Sequence, residues 1–358
     1  IKKAVKGELI LPGALTDNLG PDMTIGKKDF MKNRGTFFLP VFEERLTVNT
    51  ISHGTEGFGK ERLQSLDNAG LVHFGGHGYP DRIVDCLNGP YVRKVSLSPC
   101  VVFNGACYTG VTGKWYEMFT GNGMVKEHSV EKDKSFCLGI LSNNTAGYLA
   151  ALHPDHGIPV YQEMEYLATT GASLGEIIRY THNGVIVASG GKIPQFEHLS
   201  NNMPSPAWTE KDVMLKGTAS RVLFGDPSLI VMNAFTKPPF NITVNKIDDK
   251  TIIIKAVVEN NKLKSTFTDT YYSDLSGDQR MFNDRAFIIC DVPEWDKISK
   301  VEVIKVQCRN KELKYILKGS GFDKEEHKIY IQIDVPSTGY MQSEFREAGS
   351  TVELKLTR

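Results

Sequence analysis

Two short segments carry residues that could do covalent chemistry together. LVHFGGHG, residues 71–78, offers His77, and SPCVVFNGACYTG, residues 98–110, offers Cys107 just after Asn104-Gly105-Ala106. A thiol beside an imidazole suffices for attack on a carbonyl carbon: the imidazole takes the thiol proton and later returns it to the leaving group. Imidazole titrates near neutrality, which suits that exchange. His77 follows a four-residue apolar run and sits among Gly75, Gly76 and Gly78, so a turn presents it rather than bulky neighbours fixing it. Small residues around Cys107 let a substrate backbone come close. They leave the amides of Gly78 and Cys107 as the candidate donors to a developing oxyanion.

Structural uses compete with these roles. A free cysteine is commonly core filler, and Cys100 in CVVF and Cys137 in FCLGIL read that way. His73, four residues before His77 and inside the apolar run, supports the sheet or orients His77. The histidines also admit a metal reading, with His73 near His77 and His153 near His156 across Asp155. Neither HExxH nor its inverse occurs, nor any CxxC, and no metal site is predicted. GFGKERL is not a phosphate-binding GxxxxGK[ST] loop. In FGDPSLIV, Asp226 is suited to capping the following turn through backbone N–H groups.

The elements that must position His77 and Cys107 follow from patterning. Up to about residue 235 the strand candidates are GELILPG, GTFFLPVF, GLVHFGG, CVVFNGA, FCLGILS and VIVASGG. Helical patterns alternate with them: VYQEMEYLATT after Pro159, and SLGEIIRYTHNG, which opens with Ser173 and Glu176 in capping-box spacing and stops at Asn183-Gly184. This mixture predicts an α/β sandwich around a mostly parallel sheet, with ligands outside the carboxyl ends of strands. After TKPPF, residues 236–240, come only alternating strand patterns such as TIIIKAVV, KIYIQIDV and TVELKLT. They predict an all-β sandwich of immunoglobulin-like size. The domains expected are therefore 1–235 and 240–358.

Composition narrows the partners. Lys and Arg together number 42 and so do Asp and Glu, so no charge excess draws the chain to nucleic acid or an anionic membrane. No apolar run approaches the ~20 residues of a transmembrane helix. Six cysteines are too few for a disulfide scaffold, although Cys290 and Cys308 fall in candidate strands and could pair. The opening IKKAVKGELILPG has no Met and no signal-peptide pattern, as an excised or mature portion would.

Taken as a set, these residues resemble the caspase-like cysteine peptidases, and within them the gingipain-like family. There a strand ends in a Gly-His-Gly turn bearing the catalytic histidine, here Gly76-His77-Gly78. The next strand ends at the nucleophile, usually followed by a small residue and glycine, here Cys107-Tyr108-Thr109-Gly110. A GDPSL sequence lies near the end of the domain, here Gly225–Leu229, and the histidine precedes the cysteine, whereas papain-like enzymes reverse that order. Fewer residues precede the Gly-His-Gly turn here than the family's sheet uses.

The resemblance implies a caspase-like three-layer sandwich followed by an immunoglobulin-like domain. It implies a cysteine endopeptidase working through a thioester on protein or peptide substrates. It implies no cofactor for catalysis, with calcium as a structural ion, and a secreted or cell-surface bacterial protein. The strand after the nucleophile and its loop would form part of the S1 pocket, here Ser142, Asn143 and Asn144 with Asp155 and His156. Asp155 at the pocket floor would favour Arg or Lys at P1, while Ser142 and Asn143 suit another residue equally. Glu56 and Asp81 are candidates for an acid supporting the histidine. The alternative function is a non-catalytic adhesion or binding module on the same fold.

Overall fold

The computed structural model describes residues 14–19, 47–52, 70–74, 77–84, 87–94, 97, 99–117, 123–154, 160, 163, 166–167, 171–188, 199–205, 216–231, 240–259, 268–269, 283–336 and 348–358. The chain divides into two compact units, one of residues 1–181 with 194–234, the other of residues 182–193 with 235–358.

In the first unit the strands are β1 (Ala14–Leu19), β2 (Thr47–Ser52), β3 (Leu71–Phe74), β4 (Gly78–Tyr79), β5 (Arg82–Ile83), β6 (Leu87–Asn88), β7 (Cys100–Asn104), β8 (Lys114–Tyr116), β9 (Glu127–Ser129), β10 (Thr145–Ala151) and β11 (Arg221–Gly225). Six of them form one sheet in the order β11-β10-β7-β3-β1-β2. Its pairs are parallel except β10 with β11. Every residue of β3 and β7 is buried, which is why both read as unbroken apolar runs rather than as alternation. Val72, Phe74, Val102, Tyr148 and Ala150 share a core with Phe136, Cys137 and Ile140. β4, β5 and β6 form a small antiparallel sheet, and β8 with β9 a hairpin.

Among the described residues, the helices with both ends defined are α1 (Gly89–Val92), α2 (Phe136–Leu141) and α3 (Leu174–Ala188). FCLGIL is therefore a helix, not the strand expected. Ser135 caps it, its Oγ accepting from the Leu138 N–H at 3.2 Å. The strand in that position is TAGYLAA, β10. VIVA belongs to α3, which runs through Gly184 instead of stopping there. The capping box forms as expected: Ser173 N–H and Oγ both donate to Glu176 Oε2, at 2.9 and 3.0 Å. Asp226 also caps its turn, Oδ1 accepting from Ser228 N–H at 2.9 Å. GELILPG and GTFFLPVF lie outside the described residues.

The second unit holds β12 (Phe240–Lys246), β13 (Thr251–Val258), β14 (Thr268–Asp269), β15 (Asn283–Asp291), β16 (Lys300–Cys308), β17 (Lys311–Glu312), β18 (Ile316–Asp323), β19 (Lys328–Pro336) and β20 (Thr351–Thr357). They make two antiparallel sheets, β12-β13-β20-β16-β17 and β14-β15-β19-β18. Alternate residues of β13 and β20 face inward, where Ile252, Ile254, Val352, Leu354 and Leu356 meet Ile288, Ile329, Ile331 and Ile333 of the other sheet.

The expected fold class needs correction. Among the described residues, eleven strand pairings are antiparallel and four parallel, the latter confined to the six-stranded sheet. Helix is sparse, with α1 and α2 only 4 and 6 residues long. Among the described residues these helices do not supply the two covering layers of a three-layer sandwich. Nor is an immunoglobulin-like domain established. In that fold the final strand belongs to the C-F-G sheet, whereas β20 lies between β13 and β16 in the sheet begun by β12. Cys290 on β15 and Cys308 on β16 stand in different sheets, and no disulfide joins them. Among the described residues no helix is long and apolar enough to cross a membrane.

Candidate active site

Strand register sets the two turns side by side. β3 and β7 are parallel neighbours, with His73 opposite Phe103 and Phe74 opposite Asn104. His77 lies three residues past the carboxyl end of β3, and Cys107 three past that of β7. Gly105 N–H donates to Phe74 O at 2.8 Å, extending the contact beyond the strands. Gly78 then abuts the Cys107 turn. A Cβ at Gly78 would strike the Cys107 carbonyl oxygen and lie 2.8 Å from Ala106 Cβ. Gly78→Ala is therefore expected to displace the turn, cost roughly 1–3 kcal/mol and lower Cys107 reactivity. An alanine variant with unchanged melting and thiol alkylation rate would contradict this close packing.

His77 is exposed and Cys107 half-buried. In the β4–β5 hairpin, Tyr79 faces Arg82 across the turn and Val84 N–H donates to His77 O at 2.8 Å. Gly78 thus occupies the non-hydrogen-bonded position opposite Ile83, and its N–H is directed away from β5. Cys100 and Cys137 are fully buried, and burial pushes both thiols up to about 12, with a Thr145 hydrogen bond working the other way on Cys100. Burial, then Asp291, likewise pushes Cys290 up to about 12. These three thiols stay protonated and inert at neutral pH.

A buried polar scaffold underlies the Cys107 turn. Asn104 Oδ1 accepts from Ala106 N–H at 2.8 Å, and its Nδ2 donates to Tyr148 Oη at 3.0 Å. Tyr148 O–H donates to Thr109 O at 3.0 Å, and Thr109 Oγ1 to Ala106 O at 2.8 Å. Burial raises the Tyr148 phenol far above its usual value, so this donor is never lost. Arg221 Nη1 donates to Asn104 O at 2.9 Å. The same guanidinium grips Glu163 in a bidentate pair, Nε with Oε1 and Nη2 with Oε2 at 2.6 Å, both side chains being buried. Asn104 closes β7 and opens the Asn104-Gly105-Ala106 run that precedes Cys107. Arg221 and Glu163, 58 residues apart, carry no sequence signal of their pairing.

The other expected site residues are scattered. Ser142, Asn143 and Asn144 precede β10, at its amino end, where Asn144 O accepts from Cys100 N–H at 3.3 Å. Cys107 lies beyond the carboxyl end of the parallel neighbour, so the sheet separates it from these three. Their side chains are committed locally: Ser142 Oγ donates to Gly139 O, and Asn143 Nδ2 to Gly139 O and Val92 O. The displacement follows from α2, which was read as the strand they would terminate. Asp155, His156 and Glu56 lie outside the described residues, although Asp155 follows directly from the carboxyl end of β10 through Leu152–Pro154. Asp81 is half-buried beside the exposed Arg82, in an ion pair of 2.8 Å. Among the described residues no three of His, Cys, Asp and Glu form a group that could hold a metal ion.

His73 is fully buried within β3. His153 follows β10, and its carbonyl accepts from Tyr108 N–H at 3.3 Å. Burial, reinforced by the Lys216 cation, lowers the His153 imidazole from 6.5 to about 4. The unfolded chain then takes up a proton near pH 6.5 that the folded chain refuses until about pH 4. Stability is complete above pH 6.5 and falls as pH drops between those values, by about 3 kcal/mol at most. Melting of His153→Gln should lose that slope relative to the parent. Parallel pH curves for the two proteins would contradict it.

No protein-family profile matches the chain, and no curated protein matches it significantly. Among solved structures it is similar to the Arg-specific cysteine proteinase gingipain R (RGPB), at 13% identity and a TM-score of 0.38 over 71% of this chain and 57% of that one. The complex of pro- and mature domains of Porphyromonas gingivalis RgpB gives 15% identity and a TM-score of 0.37 over 69% and 55%. The Saccharomyces cerevisiae separase–securin complex gives 10% and 0.37 over 61% and 12%. The likeness is distant. The chain spans less than two thirds of each of these proteins, and at such overlap neither activity nor specificity carries across.

Proposed function

We propose that this protein is a cysteine endopeptidase in which Cys107 is the nucleophile and His77 its base. The observation that carries this reading is the paired register of β3 and β7, with Gly78 pressed against the Cys107 turn. It brings one accessible imidazole-bearing turn against one accessible thiol-bearing turn at the carboxyl edge of a parallel pair. The inert character of Cys100, Cys137 and Cys290 supports Cys107 as the reactive thiol.

In this mechanism His77 takes the Cys107 proton, and the thiolate attacks the scissile carbonyl carbon. The N–H groups of Gly78 and Cys107 receive the oxyanion. Protonated His77 gives its proton to the leaving amine as the C–N bond breaks, leaving a thioester on Cys107. Water, deprotonated by His77, then attacks the thioester, and the acid product departs with the thiol restored. A slight bias toward Arg or Lys at P1 is part of this proposal, resting on the charge of Asp155 in the sequence, and a cleavage profile on a mixed peptide library tests it.

The direct test is labelling by a peptidyl fluoromethyl ketone or epoxide, read by mass on the Cys107 peptide. Labelling of Cys107 that falls sharply in His77→Gln supports the peptidase. Absent or His77-independent labelling would favour the non-catalytic binding module.

A further inference from the structure

We propose that Trp115 is a positioning residue for Cys107, acting through the ring of Tyr108; this rests on Cys107 being the nucleophile. Tyr108 directly follows Cys107 and takes φ 60°, a left-handed conformation disfavoured for any residue with a Cβ. Glycine would adopt it freely, so a tyrosine here needs a reason, and its side chain supplies one. The ring is only 5% exposed. Its centroid lies 4.6 Å from that of Trp115, at an interplanar angle of 54°, and 6.4 Å from His153 in an edge-on arrangement. Trp115 is stacked in turn on His128, at 4.7 Å and 25°.

The stack is built on a cross-strand pair, since Trp115 and His128 face each other in the β8–β9 hairpin. His128 Nε2 is also held 3.5 Å from Glu117 Oε2. Trp115 is thus covered by Tyr108 and His128, which makes it a spacer within a stack and not a platform for a ligand. The backbone of Tyr108 is tied as well, its N–H donating to His153 O and its carbonyl accepting from Val111 N–H at 3.0 Å. Aromatic burial from one hairpin therefore opposes relaxation of the left-handed peptide. Relaxation of that peptide would turn Cys107 about its backbone and change the reach of its sulfur toward His77. Thiolate formation at neutral pH depends on that reach.

The test follows alkylation of Cys107 by iodoacetamide across pH, by mass on the Cys107 peptide. It uses the full chain as wild type, His77→Gln, Tyr108→Gly, Trp115→Leu and Trp115→Phe. Tyr108→Gly and Trp115→Leu should lower the rate at pH 7 on the order of tenfold to a hundredfold, and shift the profile to higher pH, toward that of His77→Gln. Trp115→Phe, which keeps a ring in the stack, should recover most of the rate. In peptide turnover the same variants should lose kcat with little change in KM. Tyr108→Gly is decisive: glycine enters the left-handed turn without strain, yet with no ring to hold it there the peptide samples other conformations, so a slow profile reports lost positioning and not a strained fold. It also decides alone if Trp115→Leu does not fold. Wild-type profiles in Tyr108→Gly and Trp115→Leu, with His77→Gln slow, overturn the positioning role and leave the dyad standing. Equal rates in wild type and His77→Gln overturn the dyad, and this inference with it.

Discussion

Cys107→Ala is expected to reduce peptide hydrolysis by at least about four orders of magnitude while leaving the melting temperature nearly unchanged. Loss of a covalent nucleophile removes the acylation route altogether, and what remains is binding and oxyanion stabilisation around a bond with no attacking group. The stability half follows from position. Cys107 is half-buried in a turn whose hydrogen bonds are made by Asn104, Tyr148 and Thr109, so losing its sulfur opens little core volume. A change within about 0.5 kcal/mol is expected. Cys137→Ala should behave in the opposite way, costing ~1–3 kcal/mol through a cavity beside Phe136 and Ile140 while sparing turnover per folded molecule. Wild-type turnover in Cys107→Ala would remove the nucleophile assignment. So would loss of activity in a Cys137→Ala protein of undiminished stability.

Arg221→Met should cost about 3–5 kcal/mol, a large part of the stability typical of a domain. The substitution leaves Glu163 as a fully buried carboxylate facing an apolar chain, and it removes the donor to Asn104 O. The penalty is mainly that stranded charge, so the pair Arg221→Met with Glu163→Leu should recover much of it. Denaturant unfolding of the parent, both single variants and the double variant measures the coupling. Reactivity separates the two consequences: the double variant regains stability but still lacks the anchor on Asn104, and its Cys107 should alkylate more slowly than in the parent. A loss below about 1 kcal/mol in Arg221→Met would mean that water or another cation already serves Glu163.

What could be read from the residues was set by how locally each feature is encoded. LVHF and CVVFN declare themselves as β3 and β7 because strands buried on both faces are apolar throughout, and glycines end them within the same few residues that hold His77 and Cys107. FCLGIL has an equally apolar run, yet it is α2. Six consecutive apolar residues fit a buried helix as well as a strand, and only Ser135, placed to cap Leu138, tips the balance. Gly184 looked like a helix end, but an interior glycine costs only about 1 kcal/mol and α3 passes through it, with Val187 buried beyond. That single helix–strand exchange moved Ser142, Asn143 and Asn144 to the wrong end of the sheet. The Arg221–Glu163 pair joins residues 58 apart and the Tyr108–Trp115–His128 stack crosses a hairpin, both through side-chain types that occur throughout any soluble protein. Only the folded arrangement identifies them.

β20 gives the second unit a schedule. It is a central strand, hydrogen-bonded to β13 along one edge and β16 along the other, yet it is drawn from residues 351–357 while β13 ends at Val258. During synthesis β12 and β13 leave the ribosome with an open edge that must wait roughly ninety residues for its neighbour. Such non-local pairing folds slowly, and an unpaired edge rich in Ile and Val invites association with other nascent chains. A ribosome that stalls before residue 351 would therefore release an adhesive sheet half, and co-translational chaperones would engage this unit longer than one whose neighbouring strands follow in turn.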